Sequence, residues 1–355
     1  MDRRLRRFLL RQGASRGEIE AAETGGYLTL LVFDRAVMPG ARKYTLRQLA
    51  ERADTDLVTA RTVWRAIGFP DMPDDLASFT DGDVAALRGF VERLKEPWIY
   101  DWGLDRAIPQ ARVLSSALAR IADAESDDMA RSVDEARRAG LSDEELAMLV
   151  SERLDYNDIA RLLDHSHRLQ LRAAIWRKLA GSDPGTPGTV VATVGFVDLV
   201  GYTALAEGLD DTELAALVEH FSALAHDTVV SFGGRIVKTI GDEVMFITEQ
   251  PVAAANIALR LAEASTQDDV LPDARAGLAC GPVLSREGDY FGPVVNLASR
   301  LTELAYPRTV LVSDDLATAL DGDPEFSLRR FGRRRVRGIG RVDFYRLDSA
   351  AVRAG

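Results

Sequence analysis

The sequence predicts an all-α N-terminal half joined to an α+β C-terminal half. Three observations carry that reading. Residues 1 to about 180 are rich in Ala, Leu, Arg and Glu, and apolar positions recur at helical spacing, as in Leu57, Ala60, Val63, Trp64 and Ile67. The run Gly181-Ser-Asp-Pro-Gly-Thr-Pro-Gly188 then concentrates Gly and Pro as a linker does. From Val190 onward short apolar runs alternate with helical ones. The expected organisation is a helical domain over 1–180, a linker over 181–189 and a second domain over 190–350.

Within the helical half, residues 44–69 read as a helix over Leu46 to Ala53, a turn over Asp54 to Asp56, and a second helix over Leu57 to Phe69, the outline of a helix-turn-helix. The second helix would offer Arg61 and Arg65 to a nucleic-acid groove. Its flanks carry Asp71, Asp74, Asp75, Asp81 and Asp83, so no basic face forms and nucleic acid is not the expected partner. Thr80 or Asp81 caps a further helix. Residues 97–118 hold Trp98, Tyr100 and Trp102, read as core aromatics, with a pocket for an apolar ligand as the alternative. Residues 164–181 form a basic amphipathic helix. Its His165 and His167 are two apart and do not share a helical face, so they are no metal pair; they are either solvated or pH-sensing.

In the second half, Val190 to Val197 is a buried strand ending at Asp198, and a helical stretch runs from Thr203 to about Val230. Arg235 to Thr239 and Glu243 to Ile247 alternate apolar and polar residues around Gly241-Asp242, a hairpin with a tight turn. Pro251 opens the next helix. Ala274 to Val283 is a strand, Val294 to Leu304 a helix, Thr309 to Val312 a strand and Val342 to Leu347 a last strand. The order implies a mostly antiparallel sheet with helices on one face.

Bulk properties narrow the function. A chain of 355 residues, 46% hydrophobic and 28% charged, has room for two or three globular domains. It offers no run of about twenty apolar residues, so no membrane span is expected. One cysteine, Cys280, excludes a disulfide framework and a cysteine-rich zinc site, and a cytoplasmic protein fits. The formal net charge of −11 also argues against nucleic acid.

Asp198 at a strand end and Asp242 at a hairpin tip are the candidate chemistry. Sheet neighbours bring such carboxylates together, and two of them with phosphate oxygens suit divalent cations. A solvated charged turn is the plain alternative. No P-loop is present.

Three segments, Phe196-Val-Asp-Leu-Val-Gly-Tyr-Thr203, Lys238-Thr-Ile-Gly-Asp-Glu-Val-Met-Phe246 and Gly288-Asp-Tyr-Phe-Gly-Pro-Val-Val-Asn-Leu-Ala-Ser-Arg300, together resemble the catalytic domain of class III adenylate cyclases, over residue 190 to about 346. The resemblance implies the class III nucleotidyl cyclase fold with its ferredoxin-like βαββαβ core. It also implies conversion of ATP to 3′,5′-cyclic AMP and pyrophosphate by in-line attack of the ribose 3′-oxygen. Asp198 and Asp242 would hold two metal ions, Mg²⁺ or Mn²⁺. Lys238 and Asp289 would read adenine, Asn296 would orient the ribose and Arg300 would stabilise phosphate charge. Lys can donate to adenine N1 and Asp can accept from its exocyclic amine, so the pair opposes a guanylate cyclase. Where the family has a phosphate-binding lysine, the nearest match is Arg337, with Arg334 and Arg335 as alternatives and a solvated basic edge over Arg329 to Arg337 as another. The family builds its site between two catalytic domains, which implies a homodimer.

Residues 50–88 resemble the regulatory domain of soluble actinobacterial adenylate cyclases. That likeness implies an autoinhibitory module responding to pH or to a fatty acid or other lipid. The competing reading is a catalytically silent, cyclase-like ligand- or DNA-binding regulator.

Overall fold

A computed structural model of the chain describes residues 1–95, 103–180, 188–268, 270–336 and 340–350. The chain falls into two compact units, Met1–Ala180 and Gly181–Gly355. The first contains α1 (Arg3–Arg11), α2 (Arg16–Gly25), α3 (Leu28–Val37), α4 (Leu46–Arg52), α5 (Leu57–Ala66), α6 (Asp81–Lys95), α7 (Leu104–Arg138), α8 (Asp143–Arg153) and α9 (Tyr156–Ala180). Local sequence starts many of these helices. Ser15 with Glu18, Thr45 with Gln48 and Ser142 with Glu145 form reciprocal capping boxes. Thr80 caps α6: its hydroxyl accepts from the Asp83 N–H at 3.3 Å, while Asp83 accepts from the Thr80 N–H at 2.7 Å. Leu5, Leu9, Ile19, Val32 and Ala147 form one core; Leu46, Leu49, Val63, Phe79 and Leu87 form another.

The helix-turn-helix outline is present as α4 and α5, but α5 stops at Ala66, short of the expected Phe69. Phe69 precedes Pro70, a position that disfavours helix, and its ring stacks on Trp64 with centroids 4.9 Å apart. Arg61 and Arg65 are both engaged by aspartates, Asp74 and Asp71 respectively. His165 and His167 are exposed on α9. Trp98, Tyr100 and Trp102 lie outside the described residues.

The second unit contains β1 (Thr189–Leu199), α10 (Tyr202–Ala206), α11 (Asp211–Ser231), β2 (Arg235–Ile240), β3 (Glu243–Thr248), α12 (Pro251–Gln267), β4 (Ala274–Arg286), β5 (Asp289–Phe291), α13 (Pro293–Leu304), β6 (Val310–Ser313), α14 (Asp314–Ala319), β7 (Phe326–Val336) and β8 (Gly340–Ser349). The sheet order is β2-β3-β1-β4-β6-β8-β7, with β5 on β4. All pairings are antiparallel except β4 with β6. The sequence β1-α11-β2-β3-α12-β4 with spatial order β2-β3-β1-β4 is the ferredoxin-like βαββαβ arrangement.

Four features depart from the expected layout. The helix expected from Thr203 to Val230 is broken, because Asp210 caps a fresh start by accepting from the Thr212 and Glu213 N–H groups. The short elements β5 and α14 carry too few residues for a periodic signal. The strand β7 was hidden by its arginines, which an edge strand tolerates. Helices also cover both faces. Phe221, Leu261 and Leu316 pack with Val197, Phe246 and Val312 on one face. On the other, Ala298 of α13 packs with Val194, Phe196, Met245 and Ile247. Gly277 of β4 permits that second layer: a Cβ there would lie 2.2 Å from the Thr302 nitrogen and 2.4 Å from the Ala298 oxygen, both α13 backbone.

Candidate active site

The site residues lie on or beside the sheet face covered by α13. At one end, antiparallel register sets Asp198 of β1 opposite Glu243 of β3 and Arg275 of β4. Asp242 occupies the two-residue hairpin turn, where Gly241 takes φ +62°, as a primed turn with Gly first requires. The Arg275 guanidinium donates to Asp198 Oδ2 from Nε at 2.8 Å and Nη2 at 2.6 Å. Burial raises the Asp242 carboxyl above the usual range; a backbone hydrogen bond opposes this, and the neighbouring Asp198 adds to the rise. Burial, then the charges of Asp198, Asp242 and Glu303, push Glu243 up to about 7, against the lowering effect of Arg275.

This end therefore holds more negative charge than Arg275 neutralises. Asp198 and Asp242 offer hard oxygen donors, and a divalent cation such as Mg²⁺ accepts one or two carboxylates with phosphates and water completing its shell. Among the described residues no group of three His, Cys, Asp or Glu side chains is already arranged around a metal position. The donor set fits a cation that arrives with phosphate oxygens rather than one caged by protein alone.

Towards the other end, Lys238 Nζ donates to Asp289 Oδ2 at 2.6 Å. Burial pushes the Asp289 carboxyl up, but the hydrogen bonds from Lys238 and the Tyr290 N–H and the lysine charge outweigh it and hold it below the usual range. A bulge in β2 makes this meeting possible. Register slips between Ile236 and Lys238, so Val237 and Lys238 both reach the α13 side of the sheet. Beside them Arg235 Nη2 donates to the Tyr290 hydroxyl at 2.8 Å.

Asn296 and Arg300 are exposed and four residues apart on α13, hence on one helical face. Arg300 Nη1 reaches both Glu303 carboxylate oxygens at 2.6 Å. Arg337 lies outside the described residues. Arg334 is exposed on β7, while Arg330 and Arg333 pair with Asp343.

The structure thus sets Asp198 beside Asp242, bonds Lys238 to Asp289, and carries Asn296 and Arg300 on one face of α13. Among the described residues no hydrogen bond or ion pair joins the first pair to the second. By strand spacing and rise, the Cα atoms of Lys238 and Asp198 lie about 12 Å apart. Sequence reasoning missed Arg235, Glu243, Arg275, Tyr290 and Glu303. Glu243 and Arg275 come to light only through the strand register, which places both opposite Asp198.

Residues 188–349 match the family model of the adenylate and guanylate cyclase catalytic domain. The chain is 36% identical over 335 residues to an adenylate cyclase of Glutamicibacter nicotianae, spanning 90% of this chain and 82% of that one. It is 38% identical over 291 residues to an adenylate cyclase of Streptomyces griseus, spanning 80% and 70%. The chain belongs to the class III adenylate cyclases. As an adenylate cyclase it makes cyclic AMP from ATP, and the family match accounts for the ferredoxin-like core. The likeness extends into the helical unit. A pH-sensitive adenylate cyclase of Mycobacterium tuberculosis is 32% identical over 366 residues, spanning 98% of this chain and 88% of that protein. Among the described residues no helix of the cyclase is long and apolar enough to cross a membrane.

Proposed function

We propose that the cyclase works as a head-to-tail homodimer, each of two equivalent sites taking its acidic end from one protomer and its base-reading end from the other. The observation that carries this reading is the separation of Asp198 and Asp242 from Lys238 and Asp289 within one chain. Asp198 and Asp242 would hold divalent cations that come with the triphosphate. Such cations, when bound, lower the charge cost of attack by the ribose 3′-oxygen and departure of pyrophosphate. Arg275, which donates to Asp198, would have to give up that carboxylate for it to serve a cation. Lys238 and Asp289 exchange their mutual bond for adenine N1 and the exocyclic amine, and the two unpaired groups left by guanine disfavour GTP. Asn296 fixes the ribose and Arg300 moves from Glu303 to the developing phosphate charge, so catalysis is positioning and electrostatics. Arg337, or in its place Arg334 or Arg335, adds a further phosphate contact.

The helical unit, residues 1–180, is proposed to regulate the catalytic unit in response to pH or a lipid. The naming of the mycobacterial relative as pH-sensitive supports the first signal. The dimer is tested by following specific activity and molecular mass together on dilution. Activity is expected to fall in step with the dimer fraction; undiminished activity in a monodisperse monomer overturns the reading.

A further inference from the structure

We infer that Arg235 and Tyr290 form a clamp that positions the base-reading pair, setting the width of the gap into which the purine edge fits. The inference rests on the proposed reading of Lys238 and Asp289 as adenine contacts. Those two residues stand on strands that share no backbone ladder: β2 pairs with β3, whereas β5 pairs with β4. The direct links between them are therefore made by side chains.

Two cross-links span that gap side by side. One is the Lys238–Asp289 bond at 2.6 Å, and the other is the Arg235–Tyr290 bond at 2.8 Å. Arg235 precedes Lys238 by three residues and Tyr290 directly follows Asp289, so both links join the same two strands. The bulge at Val237 keeps Arg235 and Lys238 on one face. Tyr290, like Val237 and Val294, is partly buried against the core on the α13 side of the sheet. Its hydroxyl accepts from Arg235, whose guanidinium carbon lies 5.4 Å from the ring centroid.

The two links differ in what a nucleotide does to them. The Lys238–Asp289 link faces the base edge and shares its donors and acceptors with the adenine it reads. The Arg235–Tyr290 bond touches no substrate atom and stays closed. While the first link is shared with the base, the Arg235–Tyr290 bond still ties β5 to β2. Arg235 and Tyr290 are thus positioning residues whose loss loosens base discrimination without removing any contact to ATP.

The test uses the full chain and the substitutions Tyr290→Phe, which keeps the packed ring, and Arg235→Met. KM for ATP, kcat and the Ki of GTP as a competitor are measured for each, with melting temperature. Each variant is expected to raise KM for ATP about three- to tenfold, the worth of one hydrogen bond, with kcat within about twofold. The preference for ATP over GTP is expected to fall by a similar factor. The double variant is expected to lose no more than either single one, since both remove the same link. A merely structural role would weaken both nucleotides alike and leave the preference intact. Asp289→Asn serves as the reference. If it relaxes the ATP preference while Tyr290→Phe and Arg235→Met do not, the clamp is overturned. If Asp289→Asn itself leaves the preference unchanged, the base-reading assignment fails and the clamp fails with it.

Discussion

Replacing Gly277 by Ala tests whether α13 is held where the structure puts it. An added Cβ would lie 2.2 Å from the Thr302 nitrogen, 2.4 Å from the Ala298 oxygen and 2.7 Å from the Leu301 carbonyl carbon. All three are backbone atoms of one helix, so no rotamer change relieves the clash and α13 must retreat by about 1 Å. Overpacking of this kind costs about 1–3 kcal/mol. For a unit of this size, each kcal/mol lowers the melting temperature by roughly 2–4 °C. The Gly277→Ala cyclase is therefore expected to melt roughly 2–12 °C lower by circular dichroism or differential scanning fluorimetry. Because α13 carries Asn296 and Arg300, kcat is expected to fall as well, by up to about a hundredfold for a displacement of this size. Gly89→Ala, in α6, is the control: a Cβ there meets nothing within 4 Å, so its unit should be unchanged or slightly more stable. A Gly277→Ala protein that melts within about one degree of the parent and keeps its turnover would refute the close packing of α13 on β4.

Three further outcomes follow from the site. Glu243 is raised from 4.5 to about 7 in the folded chain, chiefly by burial. Its carboxyl therefore costs stability progressively as pH rises from 4.5 through 7, because the unfolded chain releases that proton first. Glu243→Gln should melt like the parent near pH 4.5 but higher at pH 8, by the equivalent of roughly 1–2 kcal/mol after solvent screening; identical pH profiles would count against the charged cluster. Mn²⁺ with a nonhydrolysable ATP analogue is expected to raise the melting temperature of the parent chain but not of Asp198→Ala or Asp242→Ala, and a shift preserved in both variants would remove them as cation ligands. A fragment spanning 185–355 is expected to differ from the full chain in its activity profile across pH, and superimposable profiles would dispose of regulation by the helical unit.

The parts of the site legible in the sequence were those written in local chemistry. Gly241-Asp242 between two alternating runs fixed a carboxylate at a hairpin tip, and Gly241 with φ +62° is what that turn requires. Asn296 and Arg300 were placed on one helix face by spacing alone. What stayed hidden depends on contacts between distant segments. The bulge at Val237 leaves no trace in the alternation of β2, yet it delivers Lys238 to Asp289. Arg275 read only as an early residue of a strand until register set it against Asp198. The run from Arg329 concealed β7, because charge on an edge strand looks like charge on a loop. The placement of α13 on the opposite face follows from the smallness of Gly277, which a periodicity argument treats as a mere breaker.

The sharing of each site between two chains is tested most directly by mixing two disabled proteins. An Asp198→Ala/Asp242→Ala chain and a Lys238→Ala/Asp289→Ala chain, each inactive alone, are combined and allowed to exchange subunits. A mixed dimer holds one site with every group intact, so recovery of about a quarter of the parent activity is expected for random pairing of equal amounts. A mixture that exchanges subunits, shown by mass, and stays as inactive as its components would contradict the account.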